Sequence, residues 1–79
     1  MHEIGIVQEV LSIVLAEIKT EKIKKVVLRI GKLTAVFPDA VRFGFEVCSE
    51  GTRAEGAALE IIETPDDELK IQQVEVANV

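Results

Sequence analysis

Lys24-Lys25-Val26-Val27-Leu28-Arg29-Ile30 is the stretch on which the fold turns. Its side chains alternate, Val26, Leu28 and Ile30 on one face and Lys25, Val27 and Arg29 on the other. That pattern predicts a strand buried on one side and half covered on the other. Gly31 ends the strand or bulges it. On the N-terminal side, Thr20-Glu21-Lys22 is a short polar connection. Before it, from Ile4 to about Lys19, apolar residues fall at Val7, Val10, Leu11, Val14 and Ile18, with Ile4 and Leu15 flanking them, which lines one side of a helix. Gln8, Glu9, Ser12 and Lys19 fall on or near the opposite side.

On the C-terminal side, Phe37-Pro38-Asp39 reads as a helix start. Proline is tolerated in a first turn because its missing N–H has no intrahelical partner there, and Asp39 complements the positive end of the helix dipole. The helix that follows is expected to bury Ala40, Val41, Gly44, Val47 and Cys48, and Gly51 closes it. A glycine inside a helix costs about 1 kcal/mol relative to alanine, so Gly44 implies close approach to the sheet or to the first helix. Cys48 shares the stripe and reads as a small buried hydrophobe, since no histidine lies nearby in the sequence to activate it.

Ala57 to Glu63 alternates weakly and ends at Thr64-Pro65-Asp66-Asp67, a turn sequence with proline where a type I turn places it. In the strand predicted over Glu68 to Val76, Leu69 and Ile71 are odd while Val74 and Val76 are even. A slip of one residue exchanges the faces of a strand, so a bulge near Gln72 is needed to keep both apolar pairs on the core side. The whole is an α+β, two-layer domain of two helices packed on a small mixed sheet of about three to four strands, spanning 1–79.

A chain of 79 residues allows one domain, and 48% hydrophobic residues supply a modest core. A net charge of −5 argues against nucleic acid and anionic membrane surfaces, which are bound through clustered Lys and Arg. A basic partner surface or a metal cation fits better. The three aromatics are all Phe, which weakens any case for stacking on bases. One cysteine excludes an internal disulfide and any paired CxxC zinc site within the chain. With no apolar run behind a basic leader, a cytoplasmic location is expected. No Ser-His-Asp or Cys-His set and no phosphate loop is present, Glu46, Glu50 and Glu55 read as solvated helix and turn residues, and an enzyme is not expected.

The only histidine is one residue from the N-terminal amine, in Met1-His2-Glu3. The amine, the His2 amide nitrogen and His2 Nδ1 can close fused five- and six-membered chelate rings around one ion. Glu3 can add an amide nitrogen or a carboxylate oxygen. Such a nitrogen-rich, roughly planar set suits Ni(II) or Cu(II). Glu3 has a second reading, as a hydrogen-bonding carboxylate at the start of the first helix.

Met1-His2-Glu3-Ile4 running into an amphipathic helix, Arg29-Ile30-Gly31-Lys32-Leu33 before Val36-Phe37-Pro38, Phe43-Gly44-Phe45-Glu46, and Gly51-Thr52-Arg53-Ala54-Glu55-Gly56-Ala57 together resemble the HypA/HybF family of hydrogenase-maturation nickel metallochaperones. The resemblance runs to about Pro65, and Glu68-Leu69-Lys70-Ile71 through Val76 is similar to the family's C-terminal strand. It implies that Met1, His2 and Glu3 hold Ni(II) for delivery to the large subunit of [NiFe] hydrogenase. The implied collaborator is a HypB-type GTPase, and some members also serve urease maturation. Members normally carry two CxxC pairs on a zinc-binding lobe between the last two strands. Here Thr64-Pro65-Asp66-Asp67 stands in its place, as a natural short form or as one from which the lobe was cut. No zinc is therefore expected, and the two flanking strands are expected to pair as a hairpin. A protein-binding adaptor for the GTPase, without metal transfer of its own, is the alternative function. The expected state is a monomer or weak dimer, with exchange of the strand ending at Val79 as a minority form.

Overall fold

The computed structural model of the chain describes residues 3–77. Met1, His2, Asn78 and Val79 lie outside that range. Helix α1 (Glu3–Glu17) is followed by strand β1 (Ile23–Gly31), a 3-10 turn (Lys32–Thr34), helix α2 (Pro38–Cys48), strand β2 (Ala58–Thr64) and strand β3 (Leu69–Val76). Both helices pack on one face of the sheet, as the alternation predicts, and the sheet has three strands in the order β2-β1-β3.

β1 takes the centre, and it alone among the strands buries hydrophobic residues on both faces. Val26, Leu28 and Ile30 join the core beneath the helices, while Val27 is buried on the opposite face, where Lys25 and Arg29 are only half-covered. β2 runs parallel to β1 and β3 antiparallel, so β2 and β3 flank it and do not pair with each other. The expected hairpin is therefore wrong. Any order of three strands leaves two edges; this one gives the centre to β1, whose Val27 is buried on the second face, and the edges to strands that carry Glu60, Lys70 and Glu75 on that face.

The connection from Pro65 to Glu68 instead crosses the end of β1. There the Gly31 N–H donates to Glu68 O (2.7 Å) and the Leu33 N–H to Asp66 O (3.0 Å). Gly31 makes the crossing possible: a Cβ built there would fall on the Asp66 carbonyl oxygen, with the carbonyl carbon 2.6 Å away. Its backbone is ordinary extended strand (φ −75°, ψ 140°), so close approach, and no need for positive φ, is what requires glycine.

The bulge lies where the phase change put it. Val27 faces Gln73 and Leu28 faces Ile71, leaving Gln72 as the extra residue. Ile71, Val74 and Val76 accordingly all pack against the core. Leu69 lies at the margin and is 38% exposed.

On α1, Val7, Val10, Leu11 and Val14 are buried, as spaced. On α2 the buried set is Val41, Gly44 and Phe45, with Cys48 half-buried. The expected stripe was rotated by about half a residue, because it included Ala40 and Val47, which are exposed, and omitted Phe45, which is 3% exposed. Turning the helix to bury the phenyl ring gains more apolar area than burying alanine and valine would. Arg53 fastens the end of α1 to the sheet: its Nη2 donates to Leu15 O (2.9 Å), its Nη1 to Glu21 O (2.8 Å), and its own carbonyl accepts the Ile23 N–H.

Candidate metal centre

Glu3 opens α1, and its carboxylate Oε2 accepts the backbone N–H of Phe37 at 3.1 Å, from 34 residues away. Phe37 is the residue before the first turn of α2. Its extended backbone (φ −88°, ψ 116°) leads directly into Pro38. The N–H groups at a helix start have no acceptor within their own helix, so a carboxylate from α1 fills that need for α2. This interaction extends the second reading of Glu3 from its own helix start to its neighbour's.

Gly44 holds the same two helix starts together. A Cβ there would lie 3.0 Å from Ile4 Cδ1 and 3.3 Å from Val7 Cγ2, so the first turns of α1 rest against the bare backbone of α2. The glycine cost is thus offset by helix–helix contact, the second of the two partners its position implied. Of the expected metal ligands, Met1 and His2 lie outside the described residues, and Glu3 is at the fixed base of the segment that carries them. Among the described residues, no group of three or more His, Cys, Asp or Glu side chains is placed to hold a metal ion.

Around this base lies a surface that periodicity did not anticipate. Leu33, Phe37 and Phe43 are 74%, 70% and 67% exposed. Leu33 and Phe37 belong to the connection leading into α2, Phe43 and Val47 are one turn apart on its outer side, and Ile4 reaches Gly44 beside them. The available signal was the density of large apolar residues between 33 and 47, more than a buried helix face of that length can absorb.

The carboxylates Glu46, Glu50 and Glu55 line an open groove of about 500 Å³ between α2 and the loop after it. Glu55 Oε1 accepts the Gly51 N–H at 2.9 Å, a turn-closing contact. Gly51 and Gly56 have φ of 78° and 81°, so their conformation explains the glycines without a phosphate. Elsewhere, Glu60 lies 2.7 Å from Lys25 Nζ and raises its pKa. At the crossing over β1, the Thr64 hydroxyl (2.7 Å) and the Glu68 N–H (3.1 Å) both donate to Asp66 Oδ1 and hold its carboxyl below the usual range.

A family model described as "Hydrogenase/urease nickel incorporation, metallochaperone, hypA" matches residues 1–70. The chain belongs to the HypA family. Among curated relatives, the hydrogenase maturation factor HypA of Nostoc punctiforme is 52% identical over 65 residues, covering 82% of this chain and 58% of that protein. That of Geobacter sulfurreducens is 48% identical over 65 residues, covering 82% and 59%. The chain thus spans less than two thirds of the length of these HypA relatives. The fold is that of the solution structure of the Ni metallochaperone HypA from Helicobacter pylori, with a TM-score of 0.67 at 17% identity over 99% of this chain and 95% of that one. Among the described residues, no helix is long and apolar enough to cross a membrane.

Proposed function

We propose that this HypA-family chain is a cytoplasmic, non-catalytic nickel carrier for [NiFe] hydrogenase maturation, taking Ni(II) through the Met1 amine, His2 and Glu3. The observation that carries the proposal is the family match over residues 1–70, which includes this segment. The chemistry supports it. A deprotonated amide between an amine and an imidazole is a strong in-plane donor set for d⁸ Ni(II), and an open site at a chain end suits release by ligand exchange. Glu3 offers its backbone nitrogen or a carboxylate oxygen, and accepting the Phe37 N–H at Oε2 leaves its other oxygen able to coordinate. The α-amine must lose its proton, so with a reference pKa of about 7.7 to 8.0 binding steepens through neutral pH. A HypB-type GTPase is the proposed collaborator and the hydrogenase large subunit the recipient, with urease maturation as a further destination.

The test is a nickel titration of untagged protein, read by absorption in the d–d region. His2→Ala is expected to abolish tight binding while leaving the circular dichroism unchanged, and one added N-terminal residue to weaken binding strongly. Unchanged nickel affinity in both variants would overturn the site. The exposed Leu33, Phe37 and Phe43 favour a second reading, an adaptor that docks the GTPase and transfers no metal. A GTPase that binds the chain equally well with and without nickel, alongside a failed titration, would select it.

A further inference from the structure

We propose that β3 is the contact surface for a second copy of this chain, paired antiparallel to itself about the midpoint between Gln72 and Gln73. β3 is an edge strand of eight residues, Leu-Lys-Ile-Gln-Gln-Val-Glu-Val, whose outer side has no strand partner among the described residues. An unpaired edge presents backbone donors and acceptors to any strand that can match it. About that midpoint Leu69 stands opposite Val76, Lys70 opposite Glu75, Ile71 opposite Val74, and Gln72 opposite Gln73. Apolar meets apolar, each lysine meets a glutamate, and amide meets amide.

In a regular strand this register would fail, since each residue would face one of opposite parity and so of the opposite face. The bulge removes the conflict. Ile71, Val74 and Val76 pack on the helix side, and Leu69 borders a groove beside α1 on that side. The other face carries Lys70 opposite Arg29, Gln72 bonded to Arg29, and Gln73 bonded to Glu75. Each residue therefore meets a residue of its own face, and the two sheets merge into one of six strands with all helices on one side. A shift of two residues sets Ile71 against Gln72 in one direction and Gln73 against Val74 in the other, so the bulge and the charges leave one register open.

The groove, about 380 Å³ between α1 and β3, points the same way. Its lining includes Ile6, Ile13, Leu69 and Ile71, with Ile13 46% and Leu69 38% exposed, together with the charged Glu9 and Lys70. The second copy's Val76, set opposite Leu69, extends the apolar wall at its margin. This dimer pairs intact edges and exchanges no strand. It does not depend on the nickel reading.

Sedimentation velocity of the full chain from micromolar to millimolar concentration tests it, with circular dichroism checking that each variant is folded. The wild type is expected to dimerise reversibly. Lys70→Glu and Glu75→Lys each place like charges in two symmetry-related pairs and are expected to weaken the dimer roughly 30-fold. The double variant restores the pairs in reversed sense and should recover dimerisation. A wild type monomeric throughout, single variants that dimerise as tightly as wild type, or a double variant that fails to recover would each overturn the proposal. The second of these outcomes is what an exchanged-strand dimer would give, because there β3 lies against β1 of the other copy.

Discussion

Gly31→Ala probes the crossing of the chain over the end of β1. The added methyl would fall on the Asp66 carbonyl oxygen, with the carbonyl carbon 2.6 Å and Asp66 Oδ1 2.7 Å away. Two of these three atoms are backbone, and Asp66 Oδ1 is itself held by Thr64 and Glu68, so the segment cannot yield by a side-chain rotation. Overpacking of this kind costs about 1–3 kcal/mol. Moving the segment also stretches the hydrogen bonds from the Gly31 and Leu33 N–H groups, each worth about 1 kcal/mol. The expected loss is about 2–4 kcal/mol, a large share of the roughly 4–12 kcal/mol available to a domain of this size. With no Trp or Tyr for fluorescence, urea unfolding is followed by circular dichroism. At roughly 1 kcal/mol per molar urea, the midpoint should fall by about 2 M or more. Gly51→Ala is the control, since Gly51 has a positive φ but no atom within 4 Å of a built Cβ, so only the backbone penalty of about 1 kcal/mol applies. A Gly31→Ala midpoint within about 0.3 M of wild type would refute the steric argument, and a larger effect at Gly51 than at Gly31 would reverse it.

Phe45→Ala should cost about 3–5 kcal/mol in the same assay, because Phe45 is buried against the core, whereas the same change at exposed Phe43 should cost under about 1 kcal/mol; equal losses would put the buried face of α2 in the wrong place. The Asp66 carboxyl is held below its ordinary value of 3.8 first by the Thr64 hydroxyl and then by the Glu68 N–H. Its folded-state pKa being depressed, its contribution is complete above the unfolded value and disappears as pH falls through the folded one. The stability advantage of wild type over Asp66→Asn should therefore hold at pH 7 and shrink below about pH 4, and a difference that stays constant from pH 7 to pH 2 would show that the carboxylate's ionisation contributes nothing.

What the sequence disclosed, it disclosed through local periodicity. The alternation through Lys24 to Ile30, the proline start at Phe37-Pro38-Asp39 and the phase change at Gln72 each express a repeat or a break in one, and each element stands where that repeat puts it. The strand order is a different matter. Thr64-Pro65-Asp66-Asp67 suits a hairpin turn, and only the competition for the central place, where Val27 is buried on the second face, turns it into a crossing. Gly31 carried the trace of this, as a glycine at a strand end marks close backbone approach, but not the identity of the approaching segment. At the candidate site, the chelating set proposed for Met1, His2 and Glu3 rests on spacing alone, and Met1 and His2 lie outside the described residues. The bond from Glu3 to Phe37 was not legible in the sequence, because it joins residues 34 apart and answers the needs of a different helix.

That bond also ties the N-terminal segment to the crossing. Asp66 O accepts the Leu33 N–H, the Thr34 hydroxyl donates to Gly31 O (2.7 Å) and accepts the Val36 N–H (3.2 Å), and the Phe37 N–H reaches Glu3. The six residues from Lys32 to Phe37 are thus bonded at one end to the segment where the resemblance places the zinc lobe of longer family members, and at the other to the base of the proposed nickel segment. Contiguity of this sort is not coupling, which needs an element with two arrangements that both ends bias. What the contacts establish is an anchor. Residues 32–37 have no long regular structure of their own, and their placement comes from bonds at Gly31, Asp66 and Glu3. A short connection over β1 can therefore close the sheet and still leave the start of α1 fixed, because Glu3 is bonded to Phe37 at the α2 start.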